Sequence, residues 1–125
     1  MRVIDSSVWV EILADGPVAD RLLAEVPDDP TEIIVPSIVV LEVVKWIERE
    51  ADTTVRHRFL AFVSQCVDAP LDTDRALAAA RAHRTHGLAT ADAVVYATAM
   101  EFGAELVTCD GHFQSLDQVI HIPNK

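Results

Sequence analysis

The chain has 125 residues, of which 20 are acidic and 10 are Lys or Arg, so its formal net charge is -10. This length fits one domain, expected to span residues 1–125, and is sufficient to fold without a disulfide or a structural metal. The acidic balance argues against a domain that holds nucleic acid through a broad basic surface, but it permits a cation site or a basic protein partner.

Short apolar runs alternate with amphipathic segments along the chain, which predicts alternating strands and helices. Strands are predicted at residues 3–5, 33–35, 66–69, 105–109 and, at the sheet edge, 119–122. Helices are predicted around residues 9–13 and at 18–26, 37–50, 53–65, 71–84 and 91–102. The expected helix caps are Ser37, Asp72 or Thr73, and Thr90, with Gly103 just after the last helix. This order favours an α/β fold with a mostly parallel sheet and helices on both faces.

Two aspartates stand at the carboxyl ends of predicted strands. Asp5 ends the first strand and is followed by Ser6 and Ser7, and Asp110 follows the fourth strand. In open α/β sheets the carboxyl ends of the strands meet at the edge where ligands bind, so we expect both carboxylates to lie there. An aspartate before glycine is also an ordinary turn residue, which is the alternative interpretation of Asp110.

Two further carboxylates lie in unusually apolar helical surroundings. Asp92 is in the first turn of a predicted helix among alanines and valines, and Glu42 interrupts the apolar run 38–44. A charged group in such surroundings needs a partner or a cation. The alternatives are a favourable helix-dipole interaction for Asp92 and a polar stripe formed by Glu42, Lys45 and Arg49. If Glu42 is instead a metal ligand, Lys45 and Arg49 on the same face are expected to approach an anionic substrate.

Four carboxylates from distant segments therefore form the candidate site. Crowded carboxylates repel one another, and burial raises the cost of each charge. A hard divalent cation with oxygen ligands offsets both costs, and Mg²⁺ or Mn²⁺ suits such ligands. The members of the set, called the four carboxylates below, are Asp5, Glu42, Asp92 and Asp110.

Four stretches that contain these residues are 3–9 (VIDSSVW), 36–42 (PSIVVLE), 88–99 (LATADAVVYATA) and 106–113 (LVTCDGHF). Together they resemble the PIN-domain ribonucleases, and most closely the VapC-type toxins of VapBC toxin–antitoxin pairs. The likeness covers nearly the whole chain in the expected order, and its third stretch is the most specific.

This resemblance implies a three-layer fold with a five-stranded parallel sheet in the order 3-2-1-4-5. It implies that the four carboxylates hold Mg²⁺ or Mn²⁺, with a supporting hydroxyl from Ser6 or Ser7. It also implies an endoribonuclease that forms a homodimer and is inhibited by a cognate antitoxin, whose tail enters the acidic groove. Lys45 stands where many relatives carry arginine, which leaves its contact with substrate open.

Basic residues are few but grouped, and they are the candidates for contact with RNA. The groups are Arg56, His57 and Arg58, and then Arg81, His83, Arg84 and His86. They form either an ordinary solvated helix surface or a local rim that docks phosphates beside the metal, with Arg84 as the candidate contact. No zinc site is expected, because the histidine spacing fits no recognised ligand pattern.

The sequence also gives expectations about compartment. No apolar run approaches the roughly 18 residues of a membrane span, so no membrane association is expected. Met1 and Arg2 lead directly into the first predicted strand, so no signal peptide is expected. The spacing of Cys66 and Cys109 suggests no disulfide framework, which favours reduced thiols in a cytoplasmic protein.

Other functions fit the sequence less well. A phosphoacceptor receiver domain needs an acidic pair after the first strand and a lysine near the last, whereas here two serines follow Asp5 and the only late lysine is Lys125. A catalytically silent PIN-like binding module is a second alternative, and the presence of all four carboxylates argues against it. A PIN-domain nuclease outside toxin–antitoxin pairs is the third, and the compact chain favours the toxin over it.

Overall fold

The structure, a computed structural model, describes residues 1–125 as alternating strands and helices. The strands are β1 (Arg2–Ile4), β2 (Ile33–Pro36), β3 (Val67–Ala69), β4 (Glu105–Thr108) and β5 (Val119–His121). The α-helices are α1 (Ser6–Leu13), α2 (Ala19–Leu23), α3 (Ser37–Glu50), α4 (Thr53–Val63), α5 (Thr73–His86) and α6 (Thr90–Glu101). Two short 3₁₀ helices, which the sequence analysis does not predict, lie at Pro30–Glu32 and Gly111–Phe113.

All five strands form one parallel sheet in the order β3-β2-β1-β4-β5, which confirms the expected order. β1 lies at the centre, with Val3 opposite Ile34 of β2 and Leu106 of β4. Right-handed crossovers place α1–α4 on one face of the sheet and α5–α6 on the other, which gives the three-layer α/β fold. The carboxyl ends of β1, β2 and β4 therefore lie side by side.

The central strands are buried on both faces, which explains their continuous apolar sequence. Val3 and Ile4 of β1 are inaccessible to solvent, as are Leu106 and Val107 of β4. Residues 93–99 of α6 are also buried, and this helix contacts β1, β2 and β4. Because α6 leads into the amino end of β4, its own amino end lies at the carboxyl edge of the sheet.

Two of the predicted helix caps are wrong. Pro36, not Ser37, is the N-cap of α3, and Ala89, not Thr90, is the N-cap of α6, without a side-chain capping bond in either case. Pro36 has an extended backbone with φ -65° and ψ 145°, which is the conformation a cap requires. The helix therefore begins one residue earlier than a cap at Ser37 would allow.

Other local predictions hold. Asp72 caps α5, since its side chain accepts a backbone N–H of the first turn, and Gly103 follows α6 with a φ of 59°. α2 is shorter than predicted and ends at Leu23, because the N–H groups of Glu25 and Val26 bond carbonyls three residues back in tighter turns.

None of the helices combines the length and the apolar character needed to cross a membrane.

Candidate metal centre

The two strand-ending aspartates cap the helices that follow them. Asp5 comes directly after β1 and is the N-cap of α1, where its Oδ1 accepts the Ser6 N–H at 2.9 Å. Asp110 follows β4 and caps the Gly111–Phe113 helix, where its Oδ1 accepts the His112 N–H at 2.9 Å. Backbone donors thus hold both carboxylates at the carboxyl edge of the sheet, where the sequence predicts them.

Asp5 is the most enclosed of the four carboxylates, with an exposed fraction of 4%. Its Oδ2 accepts the hydroxyl of Thr108 at 2.7 Å and that of Ser7 at 3.0 Å. The same two hydroxyls accept backbone N–H groups, Thr108 that of Asp110 at 2.9 Å and Ser7 that of Cys109 at 3.1 Å. Each hydroxyl therefore joins a donor at the end of β4 to the carboxylate at the end of β1.

Burial dominates the ionisation of Asp5. Its removal from water raises the pKa of the Asp5 carboxyl from the ordinary 3.8 to about 6, although hydrogen bonds from Thr108, Ser7 and Ser6 oppose the rise. The negative charge of Asp92 raises the pKa of Asp5 further. The two carboxylates therefore repel each other, and a positive charge at the site would favour their ionised forms.

Ser6 links Glu42 to Asp5. Its hydroxyl donates to Glu42 Oε1 at 3.1 Å, while its backbone N–H donates to Asp5. Glu42 lies half-buried in the second turn of α3, which packs against α1. This packing brings Glu42, from the helix that follows β2, to the same edge as Asp5.

Asp92, Asp110 and His112 form a closer group. One potential ligand atom from each lies within 4.8 Å of the other two. Partial burial raises the pKa of Asp92, and the charge of Asp110 adds to the rise while His112 opposes it. Asp5 and Glu42 are not members of this group. The structure therefore brings Asp92 and Asp110 together with His112, while Asp5 and Glu42 are each hydrogen-bonded to Ser6.

The negative charge of the site has little compensation within the protein. No lysine or arginine forms an ion pair with any of the four carboxylates. His112 is the only basic side chain within ion-pair distance of them, and it is charged only when protonated. Carboxylate oxygens are the ligands that hard divalent cations prefer. The residues present therefore fit Mg²⁺ or Mn²⁺.

No ion pair joins any of the predicted substrate contacts to the four carboxylates. Lys45 lines a groove between α3 and α4 that none of the four carboxylates lines. Arg49 pairs with Glu50 at 3.0 Å, and Arg84 is exposed near the end of α5. No direct bond joins Glu42 to Lys45 or Arg49, so the polar stripe is a pattern on the helix rather than an ion-pair network. Contact of these basic residues with RNA stays a prediction.

Two histidines of the second basic group serve the packing of α5 against the segment that follows it. His83 Nδ1 lies 2.6 Å from the carbonyl oxygen of Leu88. The His86 ring meets the ring of Tyr96 edge to face, with centroids 5.2 Å apart. These contacts favour a structural role for the two histidines over a place in a phosphate-binding rim.

Thr108 contacts Asp5, and His112 contacts Asp92 and Asp110, but the sequence pattern does not mark Thr108 or His112 as site residues. Thr108 carries a hydroxyl after the apolar residues Leu106 and Val107, and it is fully buried, so it must find a hydrogen-bond partner. That signal is present in the sequence, but it does not name the partner. His112 stands two residues after Asp110, and no local pattern shows that the chain returns it to Asp92.

Glu11 shows that a buried carboxylate alone does not mark the site. It is 9% exposed, and its Oε2 accepts the backbone N–H of Val18 at 3.0 Å. A Cβ atom added at Gly16 would overlap the Glu11 carboxylate. Glu11 therefore stabilises the turn between α1 and α2, and a side chain at position 16 would displace the Glu11 carboxylate.

Replacement of Asp5 by asparagine should stabilise the metal-free protein at neutral pH. The folded Asp5 binds its proton more tightly than the unfolded chain does, so wild-type stability falls as pH rises from 3.8 to about 6. Asparagine keeps an oxygen for the helix cap and removes this loss, which is worth about 2–3 kcal/mol at neutral pH. Urea unfolding in EDTA from about pH 4 to about pH 8 should show the two proteins diverging as pH rises. A stability difference that does not change with pH would contradict the raised pKa.

Replacement of Thr108 by valine should destabilise the protein by about 1–3 kcal/mol, because it leaves the Asp110 N–H without its acceptor and removes one of the two hydroxyl donors to Asp5 Oδ2. The matched control is Thr98→Val in α6. Thr98 is equally buried, but its hydroxyl bonds only the Val94 carbonyl of its own helix, so its loss should cost less than about 1 kcal/mol. Urea unfolding at neutral pH measures both variants. Equal losses would count against a special role for Thr108 in holding the site.

Comparison with known proteins agrees with this fold. The family model described as PIN domain matches residues 2–119. No curated protein matches the chain. Among solved structures, a toxin–antitoxin complex from Klebsiella pneumoniae has a TM-score of 0.82 at 18% identity, with 98% of this chain and 100% of that chain covered.

Two further structures are similar to the chain over nearly its whole length. VapC20 from Mycobacterium tuberculosis, described as a sarcin-ricin loop cleaving toxin, has a TM-score of 0.76 at 18% identity and covers 98% of this chain and 99% of its own. FitAcB from Neisseria gonorrhoeae has a TM-score of 0.72 at 21% identity and covers 98% of each chain. At these identities the structural likeness shows the fold alone. Since the family model spans nearly all of the sequence, the chain belongs to the PIN domain family.

Proposed function

We propose that this protein is an endoribonuclease that requires Mg²⁺ or Mn²⁺, hydrolyses RNA phosphodiester bonds and acts as the toxin of a type II toxin–antitoxin pair. The observation that carries the proposal is the set of four carboxylates at one edge of a parallel sheet, with no lysine or arginine paired to them. Membership of the PIN domain family supports a nuclease activity. In this proposal residues 1–125 are a single PIN domain.

The four carboxylates would hold the divalent ion. When bound, such an ion lowers the pKa of coordinated water and polarises a phosphoryl oxygen, which is the chemistry that phosphodiester hydrolysis needs. The chain's own part is orientation. Thr108 and Ser7 fix the Asp5 carboxylate, and Ser6 fixes Glu42 Oε1. Because the pKa of Asp5 is about 6 without a cation, part of the population carries a proton on Asp5 near neutral pH, and that proton must leave before Asp5 can act as an ionised ligand.

RNA is proposed as the substrate because the sequence resembles the PIN-domain ribonucleases, and the structural likeness to a sarcin-ricin loop cleaving toxin supports it. A net charge of -10 repels RNA over most of the surface, so substrate must approach through local basic groups. Lys45 and Arg84 are the better candidates, because neither forms an ion pair within the protein, whereas Arg49 is paired with Glu50.

An antitoxin partner is proposed on two grounds. Several structural neighbours are toxin–antitoxin complexes, among them the one from Klebsiella pneumoniae. The net charge of -10 suits a basic partner, because opposite net charges accelerate association and suppress wrong partners. We also propose that the protein forms a homodimer, as the resemblance implies, and that it acts in the cytoplasm, where its RNA substrate is found.

Loss of one carboxylate charge should abolish metal-dependent cleavage. We expect Glu42→Gln and Asp92→Asn each to lower kcat by about 10²-fold or more, because each removes an ionised ligand. The matched control is Glu48→Gln, an exposed glutamate on the same helix as Glu42, which should cleave like the parent. Cleavage of single-stranded RNA would be measured with Mg²⁺, with Mn²⁺ and with EDTA.

The same assay separates the nuclease from a silent PIN-like binding module. A binding module would retain RNA in a filter-binding assay and would cleave it with neither metal. Cleavage at the parental rate by Glu42→Gln and Asp92→Asn, or cleavage that persists in EDTA, would show that the four carboxylates do not form the catalytic site.

In this proposal a small basic antitoxin is encoded beside the gene. Expression of the chain should arrest the growth of a bacterial host, and co-expression of that antitoxin should relieve the arrest. Glu42→Gln is the matched control and should permit growth at the same expression level. The two proteins should also co-elute in size-exclusion chromatography, and the partner should inhibit RNA cleavage in vitro. An active nuclease that leaves growth unaffected, and that the neighbouring protein does not inhibit, would be a PIN-domain nuclease outside toxin–antitoxin pairs.

A further inference from the structure

We propose that His112 is a metal ligand, whose Nδ1 joins Asp92 and Asp110 in a mixed nitrogen and oxygen site. Such a site should prefer transition-metal ions to Mg²⁺ more strongly than a site built from carboxylates alone would. This inference rests on the metal-binding part of the proposed function and adds a residue that the four carboxylates do not include.

The distances around His112 are those of neighbouring ligands on one ion. Nδ1 lies 3.3 Å from Asp92 Oδ2 and 3.2 Å from Asp110 Oδ1, and all three atoms lie within 4.8 Å of one another. Two ligand atoms at about 2.1 Å from the same ion and at right angles to each other are about 3 Å apart. The contacts of Nδ1 with the two aspartates are therefore close to the spacing of neighbouring ligands on one ion.

An ion pair between a protonated His112 and the aspartates explains these distances less well. Hydrogen bonds between a charged nitrogen and a carboxylate are shorter, at about 2.7–2.9 Å. Nδ1 carries at most one hydrogen, so it cannot donate to both aspartates at once. The contact of Nδ1 with Asp92 Oδ2 at 3.3 Å is within hydrogen-bond distance. A single hydrogen bond to Asp92 would leave the 3.2 Å contact with Asp110 unexplained, whereas shared coordination accounts for both.

The backbone, rather than side-chain packing, sets the position of His112. The side chain is 75% exposed. Its own N–H donates to Asp110 Oδ1 at 2.9 Å, and the next residue, Phe113, is fully buried in the core. The Gly111–Phe113 helix is thus anchored on both sides of the imidazole. A side chain placed by its backbone, exposed and directed at two carboxylates, is accessible to an incoming ion.

A nitrogen ligand changes which ions the site prefers. Imidazole suits the later first-row ions, whereas Mg²⁺ is bound through oxygen and keeps several waters. For a given nitrogen and oxygen site, affinity rises from Mn²⁺ to Co²⁺. Removal of His112 should therefore weaken Co²⁺ binding strongly, Mn²⁺ binding less, and Mg²⁺ binding least.

The test compares His112→Ala with His121→Ala by isothermal titration calorimetry with Co²⁺ and with Mg²⁺. His121 is the matched control, because it lines the cavity beside Asp110 but is outside the three-atom group. We expect His112→Ala to lose Co²⁺ affinity by about tenfold or more and Mg²⁺ affinity by less than about threefold. His121→Ala should bind both ions like the parent. Circular dichroism of the three proteins checks that both substitutions leave the fold intact.

A second readout detects the nitrogen directly. Electron spin echo envelope modulation of Mn²⁺ bound to the parent should show coupling to a histidine ¹⁴N, which His112→Ala should abolish and His121→Ala should keep. If a protonated His112 instead competes with the metal ion for the two aspartates, the affinity and the spectrum should change differently. In that case His112→Ala would bind both ions as tightly as the parent or more tightly, and no ¹⁴N coupling would be present.

These outcomes separate the inference from the proposed nuclease function. Metal-dependent RNA cleavage without ¹⁴N coupling, and with unchanged Co²⁺ affinity in His112→Ala, would overturn the role of His112 and leave the nuclease intact. Nitrogen coupling and a selective loss of Co²⁺ affinity in a protein that does not cleave RNA would support the role of His112 while the nuclease proposal fails. Absence of measurable Co²⁺ and Mn²⁺ binding by the parent would also overturn the inference.

Discussion

Repulsion between carboxylates that the fold holds together is the constraint on which the site depends. Asp5 is 4% exposed, and the charge of Asp92 adds to a pKa that burial has already raised to about 6. The cost of keeping Asp5 ionised near neutral pH is about 2–3 kcal/mol. Burial of a single Val, Leu or Ile side chain contributes a similar amount, and the core cluster contains 27 residues. Because the net stability of a domain is only about 5–15 kcal/mol, this cost is a large fraction of it, and the rest of the fold holds the carboxylates together against their repulsion.

The hydroxyls of Thr108 and Ser7 hold the Asp5 carboxylate in place at the edge of the sheet. Thr108 and Ser7 each donate to Asp5 while accepting an N–H from the segment after β4. The end of β1 is thereby tied to the end of β4 through polar groups that are all satisfied. A fully satisfied network of this kind holds one geometry, whereas a missing partner would leave a buried polar group unpaired. The hydroxyls thus position the carboxylate as well as moderating its pKa.

The distribution of charge relates the site to its proposed partners. The protein is acidic overall, and none of its lysines and arginines forms an ion pair with the four carboxylates. Only His112 offers a cationic or ligating nitrogen to the four carboxylates. In the proposed function a bound cation supplies the missing positive charge at the centre. A basic antitoxin would supply positive charge on the surface of the protein.

The sequence by itself determined the fold class and, through its family resemblance, the strand order, and it predicted the four carboxylates as the candidate site. Strand ends and chain order place Asp5 and Asp110 at one edge of a parallel sheet, and the apolar surroundings of Glu42 and Asp92 mark them as residues that need a partner. The caps at Ser37 and Thr90 were wrong because the preceding residues already have cap conformations. Only the tertiary structure decided that Ser6 bonds Glu42, that Thr108 bonds Asp5 and that His112 meets Asp92. These contacts join residues that are 36, 103 and 20 positions apart in the chain. Periodicity and propensity describe only near neighbours, so no local sequence pattern encodes these contacts.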